Sequence, residues 1–246
     1  MSLDGGVPGC TETAARQAHP AAQAFQHLLF VWLSPSFPTG AFAYSHGLEM
    51  ARERGLVVDR AGLQDWLHAV ITQGSLRNDL IVLAAAYRAA AAHDSGALAA
   101  ANVLALALQP GAERFLETTQ QGGSFLLAIA AAWPHETVAR HRADVCGDIA
   151  YPVAVAIAAA AHAIPLDATL GAFAFAFVGN LTSAAIRLGI VGQTNAQHVI
   201  AALAPALHAT SAGALASTLD DVGSATFSAD LCSLEHETQY SRLFRS

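Results

Sequence analysis

At 246 residues with a net charge of −7, the chain has no basic stripe with which to neutralise phosphates, which excludes a nucleic-acid binder. It is 54% hydrophobic but only 7% aromatic and 13% charged, so its apolar content is chiefly Ala, Leu, Val and Ile, residues that favour a helical core. All twelve basic residues are arginine, and the lack of lysine excludes a Walker-type phosphate lysine, Schiff-base chemistry and a lysine base.

Residues 1–22 are rich in Gly, Ala, Thr, Gln and Pro with little apolar pattern, and are expected to form a flexible tail. A short helix is predicted from Ala24 to Leu33, its buried face formed by Phe25, Leu28, Leu29 and Trp32. Leu33 to Glu49 then holds two prolines, two glycines and four hydroxyl residues, more chain than a simple turn needs. It is a candidate recognition loop; the alternative is an elbow that staples the first helix to the core. Ser45–Arg54 reads as helix, closed by Gly55. Asp59 can cap the next helix, in which Leu63, Trp66, Leu67, Val70 and Ile71 give the cleanest amphipathic period. Further helices are predicted from Asp79 to about His93, from Ser95 to Gln109, and from Glu113 to Trp133. The last of these carries Gly122-Gly123, which suits a kink or a tight crossing. A buried helix is predicted over Asp144–Ile164. Ala168–Leu188 follows, capped by Asp167, and then a helix from Thr194 or Asn195 to about His208. Residues 209–235 show weak periodicity.

The expected architecture is all-α: one helical bundle of eight to ten helices over 23–235, followed by an interaction tail over 236–246. Ala97–Leu108, Val153–Ile164 and Leu170–Val178 each fall short of the ~18 residues a spanning helix needs, so no membrane segment is expected. No secretory leader pattern opens the chain. The three cysteines lack zinc or redox spacing and read as reduced thiols in a cytoplasmic protein. The positive mean hydropathy favours an obligate partner or self-association.

The search for chemistry returns little. Ser124 lacks the second glycine of a nucleophile elbow. His135, Glu136 and His141 could form a weak surface metal site, and the other histidines read as surface or core residues. Glu49 and Glu53 read as a solvated helix face. No catalytic residue, cofactor or metal ligand is assigned. The alternative is a helical small-molecule enzyme with a pocket around Tyr44, His46 and Glu49. The tail differs in kind: Tyr240, Leu243 and Phe244 are apolar anchors beside Arg242 and Arg245, a composition typical of interface hot spots. It docks either on its own domain or on another protein.

The run Leu33-Ser-Pro-x-x-Pro-x-Gly-Ala-Phe-x-Tyr-Ser-x-Gly-Leu-Glu49 resembles the signature of the urease accessory protein F (UreF) family. The likeness continues through Trp66-Leu67, Asp79, Gly123-Ser-Phe-Leu126, Tyr151-Pro152, Ala184-Ala-Ile-Arg-Leu188 with Gly192-Gln-Thr194, and Tyr240-Ser-Arg-Leu-Phe-Arg245. The resemblance implies an all-α homodimer without catalysis of its own. Such a protein binds the UreD/UreH accessory protein, recruits the UreG GTPase and, through that complex, serves nickel delivery to apo-urease. It also makes Pro38, Gly40, Phe42, Tyr44, Ser45, Gly47 and Glu49 candidate partner-binding residues, together with Arg187, Gln193, Tyr240, Ser241, Arg242, Leu243, Phe244 and Arg245.

Overall fold

The structure, a computed structural model, describes residues 20–246. All of the regular secondary structure in this span is helical. α1 covers Pro20–Trp32, α2 Leu48–Glu53, α3 Arg60–Gln73, α4 Ser75–Ala91, α5 Ser95–Ala107 and α6 Ala112–Ala132. α7 covers Glu136–Asp144, α8 Tyr151–Ala161, α9 Leu166–Arg187, α10 Gln193–Ala216 and α11 Phe227–His236. The expected bundle is present, with the six-residue α2 as its one very short member. The flexible tail expected over 1–22 lies outside the described residues as far as residue 19, and the helix of α1 already includes residues 20–22.

α8 is the centre of the bundle. Every residue from Pro152 to Ala159 is buried, and its alanines let α4 and α6 pack closely on either side. Pro152 sits in the first turn, where its missing N–H costs nothing. α9 lies along α10, and α10 also packs on α3 and α4. The segment before α8 is clamped by Asn102, whose amide donates to the Asp148 carbonyl while its oxygen accepts from Ala150 N–H, both at 2.9 Å. This brings the Ile149 carbonyl onto Gly122 of α6, where a Cβ would collide with it. The glycine pair therefore serves a tight crossing; Gly123 beside it has open space.

Several boundaries differ from the sequence reading. α4 starts at Ser75, a turn before Asp79, because Gly74 alone separates it from α3. The helix predicted over Asp144–Ile164 divides: Asp144 ends α7, and α8 begins at Tyr151. Asp167 lies in the first turn of α9, with Pro165 at the cap. α10 runs past His208 to Ala216, and α11 occupies part of the stretch with weak periodicity. Asp59 caps α3 as expected, accepting from Gly62 N–H at 2.9 Å. As continuous helices, α9 and α10 reach 22 and 24 residues and are long and apolar enough to cross a membrane by length and composition, contrary to the sequence estimate. Half of α9's most apolar window is covered by the rest of the bundle.

Candidate functional site

The recognition loop leaves α1 at Trp32, makes a single 3-10 turn over Ala41–Ala43, extends through Tyr44 and enters α2. Gly47 makes that entry in the left-handed region with φ 74°, and its α-carbon faces the Ser233 backbone of α11. The polypeptide after α11 turns back along this loop. Arg245 N–H donates to the Ala43 carbonyl at 2.8 Å, and Ser45 N–H donates to the Ser246 backbone oxygen at 2.8 Å. Ser45 Oγ donates to the same oxygen at 2.5 Å. Loop and tail thus pair like two short strands.

Glu49 holds the tail in place. One carboxylate oxygen accepts Leu243 N–H at 2.7 Å and the other accepts Phe244 N–H at 2.8 Å. His236 lies between two carboxylates, with Nε2 3.2 Å from Glu49 and Nδ1 2.6 Å from Glu113. Arg242 reaches Glu113 at 2.5 Å. Phe244 is buried beneath the Arg187 guanidinium, 4.2 Å from the ring centroid, and Arg187 also donates to the Phe42 carbonyl. Tyr44 donates to Gln120 at 2.5 Å, and Arg245 reaches the same oxygen at 3.3 Å. Burial pushes the Tyr44 hydroxyl up, against the opposing charge of Arg245.

Beneath the loop, Glu117 of α6 collects donors from four side chains, Gln121 Nε2 at 3.1 Å among them. Arg114 pairs with it one turn away, His46 Nε2 stands 2.6 Å off, and Ser246 Oγ donates at 2.8 Å. Burial raises its carboxylate, but Arg114, His46 and the two hydrogen bonds outweigh this and hold it near about 2. His46 is pushed down, first by burial and then by Arg114, so the ring is neutral and donates from Nε2.

Next to this network a cavity of about 470 Å³ opens to solvent between α1, the loop and α9. Its walls are apolar and aromatic, with Phe30, Phe42, Phe173 and Phe177 among them. Its floor is polar and includes His46, Asp79, Arg114 and Glu117. Asp79 of α4 accepts no hydrogen bond among the described residues. Burial pushes its carboxyl up to about 7, with Arg114 pulling it down and Glu117 adding to the rise. His46 Nδ1 is buried without a partner.

The structure gathers nearly all of the sequence-predicted site residues into one region. Ser45, Gly47, Glu49, Phe244 and Arg245 form the seam between loop and tail, with Tyr44 behind it and Arg187 above it. Phe42, Tyr240 and Leu243 expose their side chains, Tyr240 completely. Arg242 is anchored to Glu113, Ser241 accepts from Gln239, Pro38 is exposed and Gly40 faces open space. Gln193 stands apart as the exposed first residue of α10. Glu49 is buried, a correction to its reading as part of a solvated face; Glu53 is exposed as expected. The pocket proposed around Tyr44, His46 and Glu49 does not assemble: Tyr44 and Glu49 are engaged in the seam, and only His46 lines the cavity. His135 caps α7 and His141 is buried against the Ala90 carbonyl, so the weak metal site does not form from them. Sequence reasoning missed Glu113, Glu117 and His236, whose only signal was charge on otherwise apolar helix faces.

Among the described residues the chain is an all-α bundle whose own tail seals its N-terminal loop beside an open aromatic cavity. A UreF family model matches residues 57–204. The urease accessory protein UreF of Methylobacterium radiotolerans is 52% identical over 228 residues, 92% of this chain and 100% of the relative. The UreF proteins of Rhodopseudomonas palustris and Xanthobacter autotrophicus are 52% and 50% identical, over 96% and 98% of this chain and 98% and 99% of their own lengths. The chain belongs to the UreF family of urease accessory proteins.

Proposed function

We propose that the chain is a non-catalytic scaffold for nickel insertion into urease. In this reading it acts in the cytoplasm as a homodimer, binds the UreD/UreH accessory protein and recruits the UreG GTPase, whose phosphate chemistry this chain does not supply. Nickel is cargo of the assembly. The observation that carries the reading is the seam itself. Glu49, His236 and Arg187 fix a tail whose remaining side chains, Tyr240 and Leu243, project into solvent beside exposed Phe42. Three apolar side chains held outward on a rigid backbone lose little entropy when a partner covers them. Exposed Ala201, Pro205, Ala209 and Leu215 along α10 support self-association.

The test is co-purification of the chain with the accessory protein and the GTPase, followed by mass measurement. The expected result is a complex containing two copies of this chain. A monomer that captures neither protein overturns the proposal.

A further inference from the structure

The seam and the cavity share His46 and Glu117, and while Glu117 has partners on both oxygens, His46 keeps one ring nitrogen unused. Towards the seam, Glu117 takes Ser246 Oγ and His46 Nε2. His46 Nδ1 is buried without a partner, and Asp79, half-buried on the cavity floor, forms no hydrogen bond or ion pair among the described residues. A neutral imidazole that donates from Nε2 has an acceptor at Nδ1. The floor therefore holds two acceptors with no protein donor, Asp79 in reach of the cavity and Nδ1 beneath its surface. The charge is unbalanced in the same direction. Arg114 is committed to Glu117, so an ionised Asp79 adds a negative charge with no counter-ion within salt-bridge distance. Only a donor that carries positive charge satisfies both conditions. Above the floor, Tyr151, Phe173 and Phe177 line the walls, an aromatic and apolar lining that suits a cation and its stem.

We propose that this cavity receives a lysine or arginine side chain from an apolar patch on a partner polypeptide, its ammonium or guanidinium seated against Asp79 on the floor. The rim argues for a polypeptide over a free amine. Phe30 is 73% exposed and Phe42 67% exposed, so each ring stands out of the cavity into water. A small molecule inside would leave those rings wet, whereas a protein surface around the inserted side chain would cover them. The assignment deepens the scaffold reading above and rests on it for the source of the cation.

The full-length chain is titrated calorimetrically at pH 8 with n-hexylammonium, n-hexylguanidinium, 1-hexanol and hexanoate. Both cations are expected to bind one to one, at least tenfold more tightly than hexanol, and hexanoate more weakly still. Asp79→Asn keeps the shape of the floor and should bring the cations down to the level of hexanol, with hexanol itself unchanged. Equal binding of hexanol and the cations, or a preference that survives Asp79→Asn, overturns the proposal. In the second arm, the affinity of the chain for the accessory protein captured above is measured directly. Asp79→Asn and Phe42→Ala are each expected to weaken it at least fivefold. A complex indifferent to Asp79→Asn, alongside Asp79-dependent cation binding, overturns the polypeptide source and leaves a site for free amines. A wild-type chain that forms no complex overturns the scaffold reading, while the titration still decides the chemistry of the cavity.

Discussion

The seam and the cavity floor are neighbours built from the same kinds of side chain, and they solve the burial of charge in opposite ways. In the seam, Glu49 takes two backbone amides and faces His236, and Glu113 takes His236 and Arg242. On the floor, His46 Nδ1 is buried without a partner, and the half-buried Asp79 has no ion pair or hydrogen bond among the described residues. A buried charge with a full set of partners fixes a structure, whereas one without partners is a standing demand for a ligand. The difference separates residues that keep the tail in place from residues free to meet something else, although His46 and Glu49, one in each set, lie three positions apart in the chain.

The largest effect should come from breaking the satisfied side. Glu49→Ala leaves the Leu243 and Phe244 amides and the His236 ring without their acceptor. Loss of one partner from a buried charged network costs about 3–5 kcal/mol, and urea unfolding should show a loss in that range. A loss under about 1 kcal/mol would mean that the tail is not held as described.

Two loop glycines sharpen the contrast sterically. Gly47 has φ 74° and an added Cβ would lie 2.8 Å from Ser233 N and Oγ, on the seam side. Gly40 has nearly the same φ of 75° with nothing nearby. Both alanine variants meet the left-handed penalty of about 1–2 kcal/mol, but only Gly47→Ala must also push α11 away. We expect about 3 kcal/mol lost at Gly47 and about 1 at Gly40, measured as paired shifts in urea midpoint.

pH distinguishes the two carboxylates of the floor. Glu117 has its folded pKa depressed from 4.5 to about 2, so its contribution is present above pH 4.5 and is lost as pH falls towards 2. Asp79 has its folded pKa raised from 3.8 to about 7, so stability is lost as pH rises from about 4 through 7. Asp79→Asn removes the second trend only. A shift of this size is worth about 4 kcal/mol for a fully buried group, and the partial exposure of Asp79 reduces the expected gain at pH 8 to about 2 kcal/mol. The variant and the parent should converge near pH 4, and equal stability at pH 8 would show that Asp79 is not under this strain.

Much of the fold was legible because the periodic helices declare themselves. Leu63, Leu67, Val70 and Ile71 of α3 are buried as their spacing predicts, and Asp59 caps where a cap was read. α11 was missed because it buries Cys232, Ser233 and His236, so its inner face carries no apolar period. The end of α10 was missed because Ala, Ser and Gly give the pattern no amplitude. The loop and tail were recognisable as special from their composition. That they bind each other was not legible: the Glu49–His236 and Glu49–Phe244 contacts span 187 and 195 positions, and no local period encodes them. Asp79 read as a helix start, since a carboxylate near a helix N-terminus looks the same whether it caps or lines a cavity.

The smallest stability effect is the most direct test of what the seam is for. Tyr240 is fully exposed and Leu243 half-exposed, and neither side chain contributes to the hydrogen bonds that hold the tail, which come from the backbone and from Arg242, Arg245 and Ser246. Alanine at either position should therefore change unfolding by less than about 0.5 kcal/mol, the usual range for a surface site. If the tail is held so that it can present these two side chains, the double variant should keep its fold and its Glu49 anchoring while losing tenfold or more in affinity for the accessory protein. Deleting the tail cannot separate these effects, because removing Phe244 and Ser246 also opens the seam. A double variant that binds as well as the parent would make the tail a fastening for the bundle alone, and would shift the docking surface to Phe42 and the cavity mouth.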